Sequence, residues 1–141
     1  MPRNEKETRL QLIDPALKRA GWKVSNQKYI IEKNKACIET PVYGMPKTSE
    51  NSTGNGFVDY VLFGDDGKPL ALIEAKKSIL NEEMGKVQAC LYADALERQY
   101  GVRPVIYYTN GYSIRIIDGV YPPRRVFGFH KKDELEYLIQ R

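Results

Sequence analysis

Hydrophobic positions along the chain recur with two different periods, and the period changes several times. Near the amino terminus Leu10, Ile13 and Leu17 recur at helical spacing, and Gly21 follows as a stop signal. Pro15 either kinks this helix or restarts it, because proline fits the first turn of a helix but not its interior. The pattern therefore predicts a first helix that ends before Gly21.

Four short runs rich in β-branched and aromatic residues follow this helix, and their lengths are typical of strands. The first two are separated by a turn at Asn34, and the other two by the sequence GDDGKP, whose Asp-Gly chemistry favours an antiparallel turn. We predict two β-hairpins from these runs: QKYIIEK (27–33) with ACIETPVY (36–43), and FVDYVLF (57–63) with LALIEAKK (70–77).

A second helical pattern begins at Asn81, a predicted N-cap, and ends before Gly101. Its predicted apolar stripe consists of Met84, Val87, Leu91 and Ala95. PVIYYTNGYSIRII (104–117) predicts two further strands around an Asn-Gly turn, and KKDELEYLIQR (131–141) predicts a closing helix. This order predicts an α/β (α+β) fold with a central mixed β-sheet flanked by helices.

Length, charge and composition narrow the class of protein only moderately. The 141 residues predict a single domain over residues 1–141. The net charge of +4, from 22 basic and 18 acidic residues, permits a polyanionic partner without requiring one. Cys37 and Cys90 lie far apart with a single histidine, which disfavours zinc and a disulfide framework. The absence of any apolar run approaching about 18 residues predicts no membrane helix and a cytoplasmic protein.

Two charged residues interrupt the last strand of the second hairpin. Because strand side chains alternate between faces, Glu74 and Lys76 share one face with Leu70 and Leu72, while Ala75 lies on the other. If the hairpin pairs about the centre of its loop, Asp59 lies opposite Glu74, with Cβ atoms about 5 Å apart. The two carboxylates are then cross-strand neighbours within otherwise apolar rows.

Two opposed carboxylates repel each other, and burial adds a desolvation cost, so a cation is expected between them. Mg²⁺ fits because it prefers oxygen ligands and commonly takes one or two carboxylates. Lys76 could stabilise charge on a phosphate or help to deprotonate an attacking water. These are the parts of metal-assisted phosphodiester hydrolysis. The alternative is a solvated ion pair of Glu74 and Lys76 on an edge strand, which is worth about 0–1 kcal/mol.

The sequence also resembles a known family. Asp59 followed by Glu74-Ala75-Lys76, within this order of helices and strands, is similar to the PD-(D/E)xK nuclease superfamily, whose core is the restriction-endonuclease-like αβββαβ unit. A narrower resemblance, to the amino-terminal nuclease domain of the restriction (R) subunit of type I restriction enzymes, rests on five stretches: ETRLQLIDPALKRAGW, DYVLFGDDGKPLALIEAKKS, QACLYAD, YYTNGYSIRIID and YPPRRVFGFHKKDELEYLIQR. Val58 stands where the superfamily pattern has proline.

The resemblance implies a set of site residues. Asp59 and Glu74 would ligate Mg²⁺, with Mn²⁺ able to substitute, the Ala75 carbonyl would add a ligand, and Lys76 would be the catalytic lysine. Gln88 and Tyr92 match the family's Gln-x-x-x-Tyr motif and would position DNA or support the metal site. The alternative for these two residues is a helix-edge amide and a packed tyrosine.

Four further residues are candidates with open alternatives. Glu7 shares a helical stripe with Leu10, so it either joins the metal site, as a first-helix acid does in related nucleases, or only favours the helix dipole. Arg9, Arg124 and Arg125 are candidate phosphate contacts, and the alternative is that they are ordinary solvated surface charges.

The resemblance also implies partners. The substrate would be double-stranded DNA, cut without sequence readout by this domain, and the domain would belong to a longer subunit with an ATP-dependent translocase downstream. The 141 residues contain no Gly-x-x-x-x-Gly-Lys-[Ser/Thr] phosphate loop, so ATP would act only through that motor. Modification and specificity subunits would complete the holoenzyme. The alternative function is a catalytically silent PD-(D/E)xK-fold domain that binds DNA or serves as a scaffold.

Overall fold

The computed structural model describes residues 12–25, 35–42, 56–75, 82–109, 113–119 and 122–140. Its helices are α1 (Asp14–Arg19), α2 (Glu82–Tyr100) and α3 (Lys132–Gln140). Its strands are β1 (Lys23–Ser25), β2 (Lys35–Val42), β3 (Gly56–Phe63), β4 (Pro69–Ala75), β5 (Val105–Thr109), β6 (Ile114–Ile117) and β7 (Arg124–Val126). None of the three helices, within these ranges, is long and apolar enough to cross a membrane.

The seven described strands form one sheet in which spatial order follows chain order, from β1 to β7. β1 pairs parallel with β2, and β4 pairs parallel with β5, while the other neighbouring pairs are antiparallel. α2 is the crossover that the parallel β4–β5 pair needs, because parallel neighbours cannot be joined by a tight turn. The predicted mixed sheet flanked by helices is therefore confirmed.

Each face of the sheet carries its own apolar core. On what we call the α1/α3 face, side chains of β3, β4 and β5 pack against Leu17 of α1 and Leu135 of α3. On the α2 face, Leu72 and Ile106 pack against Leu96 of α2. β4 lies at the centre of both cores and all seven of its residues are buried. A charged residue on β4 therefore stands in the least hydrated part of the described structure.

The ends of α1 and α2 lie where the sequence predicts them. Gly21 and Gly101 follow these helices with φ of 90° and 81°, a left-handed conformation that glycine adopts at little cost. Pro15 lies in the first turn of α1, where its missing N–H removes no intrahelical hydrogen bond. Asn81 lies outside the described residues.

Three details of the strands either differ from the prediction or were not predicted. The predicted strand 36–43 corresponds to β2, but its predicted partner, 27–33, lies outside the described residues. β1 and β7 were not predicted, because three residues are too few to show a period of two. β1 lies parallel to β2, so it extends the sheet without a hairpin.

The apolar stripe predicted on α2 is partly wrong. Val87 is 58% exposed and Leu91 is only partly buried, although Ala95 is buried as predicted. The helix instead buries a neighbouring face, formed by Ala89, Tyr92, Ala93 and Leu96. Small alanines let a helix backbone approach a sheet closely, and apolar periodicity gives alanine too little weight to reveal that face.

A hydrogen-bonded group of three aromatic rings ties the segment before α3 to the core. The Tyr107 hydroxyl lies 2.5 Å from His130 Nδ1 and accepts a hydrogen bond from the His130 backbone N–H at 3.1 Å. The Trp22 indole donates to the His130 carbonyl at 2.9 Å. Burial raises the pKa of Tyr107, so its hydroxyl stays protonated and donates to Nδ1. His130 is therefore held as a neutral acceptor.

The charge state of His130 should make folding pH-dependent. Burial lowers the pKa of His130 below 6.5, and Arg124 lowers it further against the opposing effects of Glu134 and Asp118. The unfolded chain then binds a proton more readily than the folded one. The stability that neutral His130 contributes to the folded state is fully present above pH 6.5 and is lost as the pH falls through 6.5 towards the lower folded pKa. We expect a lower urea midpoint at pH 5.5 than at pH 8.

His130→Asn provides the control for this measurement. The asparagine Oδ1 can accept the Tyr107 hydrogen bond near the position of Nδ1 but does not titrate. The variant should lose the part of the pH dependence that belongs to His130, whereas an unchanged loss of stability between pH 8 and 5.5 would contradict the assignment.

Candidate functional site

The pairing of β3 with β4 has the register that the sequence predicts. Three successive pairs share it: Tyr60 with Ile73, Val61 with Leu72 and Leu62 with Ala71. Continued by one residue, this register places Asp59 of β3 opposite Glu74 of β4. The pair next to the turn, Phe63 with Pro69, is one residue out of this register, so the predicted pairing begins beyond an irregularity between Leu62 and Phe63.

One face assignment on β4 is wrong. Leu70 packs in the core of the α1/α3 face, whereas Leu72 packs in the core of the α2 face. The register shifts between Leu62 and Phe63, where Phe63 pairs with Pro69, and such an irregularity breaks the alternation of faces. The shift lies near the turn, so the faces of Leu72 and of the residues that follow it keep the predicted alternation.

Asp59 binds the backbone of β4 at the residue after Glu74. The Ala75 backbone N–H donates to Asp59 Oδ2 at 2.7 Å. This N–H points towards β3. If the backbone pairing of the two strands continued, the N–H would donate to a backbone carbonyl of β3, and the Asp59 carboxylate accepts the hydrogen bond instead. Asp59 is thereby held beside the Glu74–Ala75 peptide.

β2 and β3 change direction at this same point. Val58 packs in the core of the α2 face, although Tyr60, with the same parity, packs in the core of the α1/α3 face. Residues 56–58 pair with β2 and not with β4 among the described pairs. Asp59 therefore lies where the side chains of β3 exchange faces between the two cores.

Glu74 is the buried acid of the pair. It is 4% exposed, and its neighbours on the α2 face are Leu72, two residues earlier, and Tyr108, its partner on β5. A carboxylate in such surroundings is costly unless a cation or hydrogen bonds compensate it. Asp59 is less buried than Glu74, so the pair extends from the interior of the sheet towards solvent.

The donor atoms present fit a Mg²⁺ site. Asp59 and Glu74 supply hard carboxylate oxygens, and Ala75 supplies a backbone carbonyl next to them. A carboxylate has about four lone-pair positions, so the hydrogen bond from Ala75 leaves Asp59 acceptor capacity for an ion. The described residues contain no group of three or more His, Cys, Asp or Glu that could hold a metal. Two carboxylates agree with the few protein ligands that Mg²⁺ usually takes, and less well with zinc.

Gln88 and Tyr92 form a hydrogen-bonded pair on α2. Gln88 Nε2 donates to the Tyr92 hydroxyl at 2.9 Å, which the four-residue spacing allows. Tyr92 is 7% exposed and packs with Val58 in the core of the α2 face. A Cβ built on Gly56 would lie 3.0 Å from Tyr92 Cε1. The tyrosine ring therefore packs against the backbone of Gly56, where a side chain would leave too little space. The sequence analysis did not identify Gly56 as a site residue.

Arg124 and Arg125 lie three strands from Glu74, about 14 Å across the sheet at ordinary strand spacing. Arg124 forms an ion pair with Asp118, at 2.9 Å between Nη2 and Oδ2, and the side chain of Asp118 is 0% exposed. Arg125 is exposed, with its guanidinium 5.9 Å from the centre of the Phe127 ring. Neither arginine is adjacent to the carboxylate pair. Three other predicted site residues, Glu7, Arg9 and Lys76, lie outside the described residues.

Comparisons with known proteins place this arrangement in a structural class. No protein-family model and no curated protein matches the sequence. A solved structure described as a fragment of a putative HsdR subunit of a type I restriction enzyme, from Vibrio vulnificus YJ016, is similar with a TM-score of 0.73 and 25% identity. The similarity covers 98% of this chain and 25% of that one, so the chain spans about a quarter of the length of its structural neighbour.

The fold is therefore restriction-endonuclease-like: a mixed sheet flanked by helices, similar over almost the whole chain to a type I restriction enzyme fragment. Fold similarity does not establish an activity, which depends on the site.

The contact between Gly56 and Tyr92 provides a test of how the site is assembled. Gly56→Ala should lower the free energy of unfolding by about 1 kcal/mol, because the added methyl group overpacks the tyrosine ring. The cost should largely disappear in a Tyr92→Leu background, and a double-mutant cycle by urea denaturation measures this coupling. Gly128→Ala is the matched control, since its Cβ would meet nothing within 4 Å. Additive effects of the Gly56 and Tyr92 changes would contradict the contact.

Proposed function

We propose that the chain is a Mg²⁺-dependent endonuclease domain of a type I restriction enzyme R subunit, which hydrolyses DNA phosphodiester bonds without reading sequence itself. The observation that supports the proposal is the β3–β4 register: continued by one residue from Tyr60 and Ile73, it would set Asp59 opposite the buried Glu74, and Ala75 donates a hydrogen bond to Asp59. The similarity to an HsdR fragment supports the same class of enzyme.

Each residue has a role that follows from its position. Asp59 and Glu74 would hold the ion, with the Ala75 carbonyl as a further ligand. Bound Mg²⁺ supplies charge neutralisation at the phosphate and lowers the pKa of a coordinated water. Lys76 follows Ala75 in the sequence, and we assign it the catalytic lysine's role of stabilising phosphate charge or orienting the water. Gln88 holds the Tyr92 hydroxyl, so this pair supports the α2 side of the site.

Lack of sequence readout follows from the way the site would contact DNA. A metal ion held by two carboxylates binds phosphate, which is the same at every base pair, so the site carries no base code. We propose that the target is double-stranded DNA in the cytoplasm and that selection lies with other parts of the assembly: motor domains of the same subunit, which use ATP, and the modification and specificity subunits.

Glu74→Gln tests metal binding through stability. A ligand that binds only the folded state stabilises it by about 1.4 kcal/mol at ten times its dissociation constant. Thermal unfolding of the unchanged protein should shift upwards with added Mg²⁺ or Mn²⁺, and Glu74→Gln should abolish most of that shift because it removes a charged ligand. Glu97→Gln, with a half-exposed side chain on α2, is the matched control and should keep the shift. If Glu74→Gln and Glu97→Gln showed the same metal-induced shift of thermal unfolding, the ion would bind at a different site.

Lys76→Ala in the natural full-length protein tests the catalytic assignment. DNA cutting should fall by at least about 100-fold, the usual contribution of a positioned acid or base, while ATP hydrolysis and translocation persist. Supercoiled plasmid cleavage and ATPase rates provide the two readouts. Lys68→Ala, at an exposed lysine in the β3–β4 turn, should change neither. Undiminished cutting by the Lys76 variant would contradict the nuclease assignment, whereas loss of ATP hydrolysis would show that Lys76 acts outside the cutting step.

A further inference from the structure

A second feature of the structure lies on the α1/α3 face and is not used by the carboxylate pair. It is an open groove of about 390 Å³ between α1, the adjoining ends of β5 and β6, and the segment that joins β7 to α3. Its lining includes Arg19 of α1, Thr109 of β5, Ile114 of β6, and Phe127 and Lys131 of the joining segment.

Phe127 is unusual for a large apolar residue. Its ring is 96% exposed, the highest value among the large hydrophobic side chains that the structure describes as exposed. The guanidinium of Arg125 lies over the ring, 5.9 Å from its centre, so a cation is held next to an exposed aromatic side chain. This pairing is typical of surfaces that stack a nucleobase and bind the adjoining phosphate.

The exposed charge around the groove is mixed, with three cations and two acids, Asp133 and Glu134, of which Glu134 lines the groove. Arg19, Arg125 and Lys131 are all exposed. Of the acids nearby, Glu134 accepts the Lys131 backbone N–H at 2.9 Å, and Asp133 accepts the Glu134 backbone N–H at 3.0 Å, so both are engaged at the start of α3. These hydrogen bonds hold the two carboxylates at the start of α3 but leave their charge in place. The three cations outnumber the two acids, and this excess of positive charge favours an anionic partner.

The groove begins beside the candidate metal site. Thr109 in its wall pairs with Ala75 of β4 on one side and with Ile114 of β6 on the other. Ala75 is the residue whose N–H binds Asp59. Phe127 directly follows β7, three strands from β4, which is about 14 Å at ordinary strand spacing. At an axial rise of about 3.4 Å per nucleotide, 14 Å corresponds to about four nucleotides, so the two places would contact different nucleotides of a strand.

We propose that this groove binds single-stranded DNA next to the cleavage site, with a base stacked on Phe127 and phosphates contacted by Arg19, Arg125 and Lys131. Stacking on an exposed ring needs an unpaired base, which is why the partner is a single strand and not a duplex. The inference rests on the proposed function for the class of partner. It goes beyond that function because it assigns a second contact surface, on the opposite face of the sheet from Glu74.

Fluorescence anisotropy with a labelled oligothymidine, in buffer containing EDTA, tests the groove without requiring metal or cleavage. Phe127→Ala should weaken binding about 5-fold or more, as expected for the loss of one stacked base. Phe127→Trp should restore it, because tryptophan also offers a flat ring. Tyr137→Ala, at a 68% exposed tyrosine outside the groove, is the matched control and should bind like the unchanged protein.

Salt dependence separates the charged contacts from the stacking contact. Arg125→Ala should reduce the slope of log affinity against log salt by about 0.7, the value for one phosphate contact to a single strand. Phe127→Ala should leave that slope unchanged.

Four results would overturn the inference. The protein could fail to bind the oligothymidine, Phe127→Ala could bind it as tightly as the unchanged protein, or Phe127→Trp could fail to restore binding. The fourth is that Phe127→Ala weakens binding only of duplex DNA. The outcome is distinguishable from that of the proposed function. Binding that depends on Phe127, in a protein that never cuts DNA, would support the groove and contradict the proposed nuclease function. DNA cutting together with binding that does not depend on Phe127 would support the nuclease function and contradict the groove.

Discussion

The hydrogen bond from the Ala75 backbone N–H to Asp59 joins β3 to β4 just beyond the described backbone pairs of the two strands, and the site that we propose is built around it. Up to Tyr60, β3 pairs with β4 through backbone groups, whereas the residues before Asp59 pair with β2 and turn towards α2. A carboxylate in place of a carbonyl ends the ladder without leaving a buried N–H unsatisfied, which would cost about 1–3 kcal/mol. In the site that we propose, this same side chain would also be a ligand of the cation, so one residue would serve both structure and chemistry.

Glu74 is the more deeply buried of the two acids. It lies on a strand whose seven residues are all buried, between two apolar cores, and burial of a carboxylate there is costly unless hydrogen bonds or a cation compensate it. Under the proposed function, stability and function would be in tension at this residue, as is common where burial prepares a group for chemistry. α2 closes over this part of the sheet with small alanines, and it brings Tyr92 against the bare backbone of Gly56.

Features set by local chemistry could be predicted from the sequence. The Asp-Gly turn predicted the antiparallel β3–β4 pair and the register from Leu62 to Tyr60, although not the irregularity next to the turn, and glycines marked the ends of α1 and α2. Features set by packing between distant segments could not be predicted in this way: the buried face of α2, the short parallel β1, and the fit of Gly56 to Tyr92 all depend on partners far away in the chain. The exposure of Phe127 also needed the structure, although its position between Arg125 and Lys131 was a usable signal of nucleic-acid binding.

The central claim is that Asp59 and Glu74 together hold one divalent cation. Anomalous diffraction from crystals of the protein grown with Mn²⁺ tests it most directly, because Mn²⁺ scatters anomalously and accepts the same oxygen ligands. The account predicts a single strong peak within about 2.0–2.3 Å of a carboxylate oxygen from each residue, near the Ala75 carbonyl. A peak that contacts only one of the two carboxylates, or a well-ordered site with both side chains and no peak between them, would contradict it.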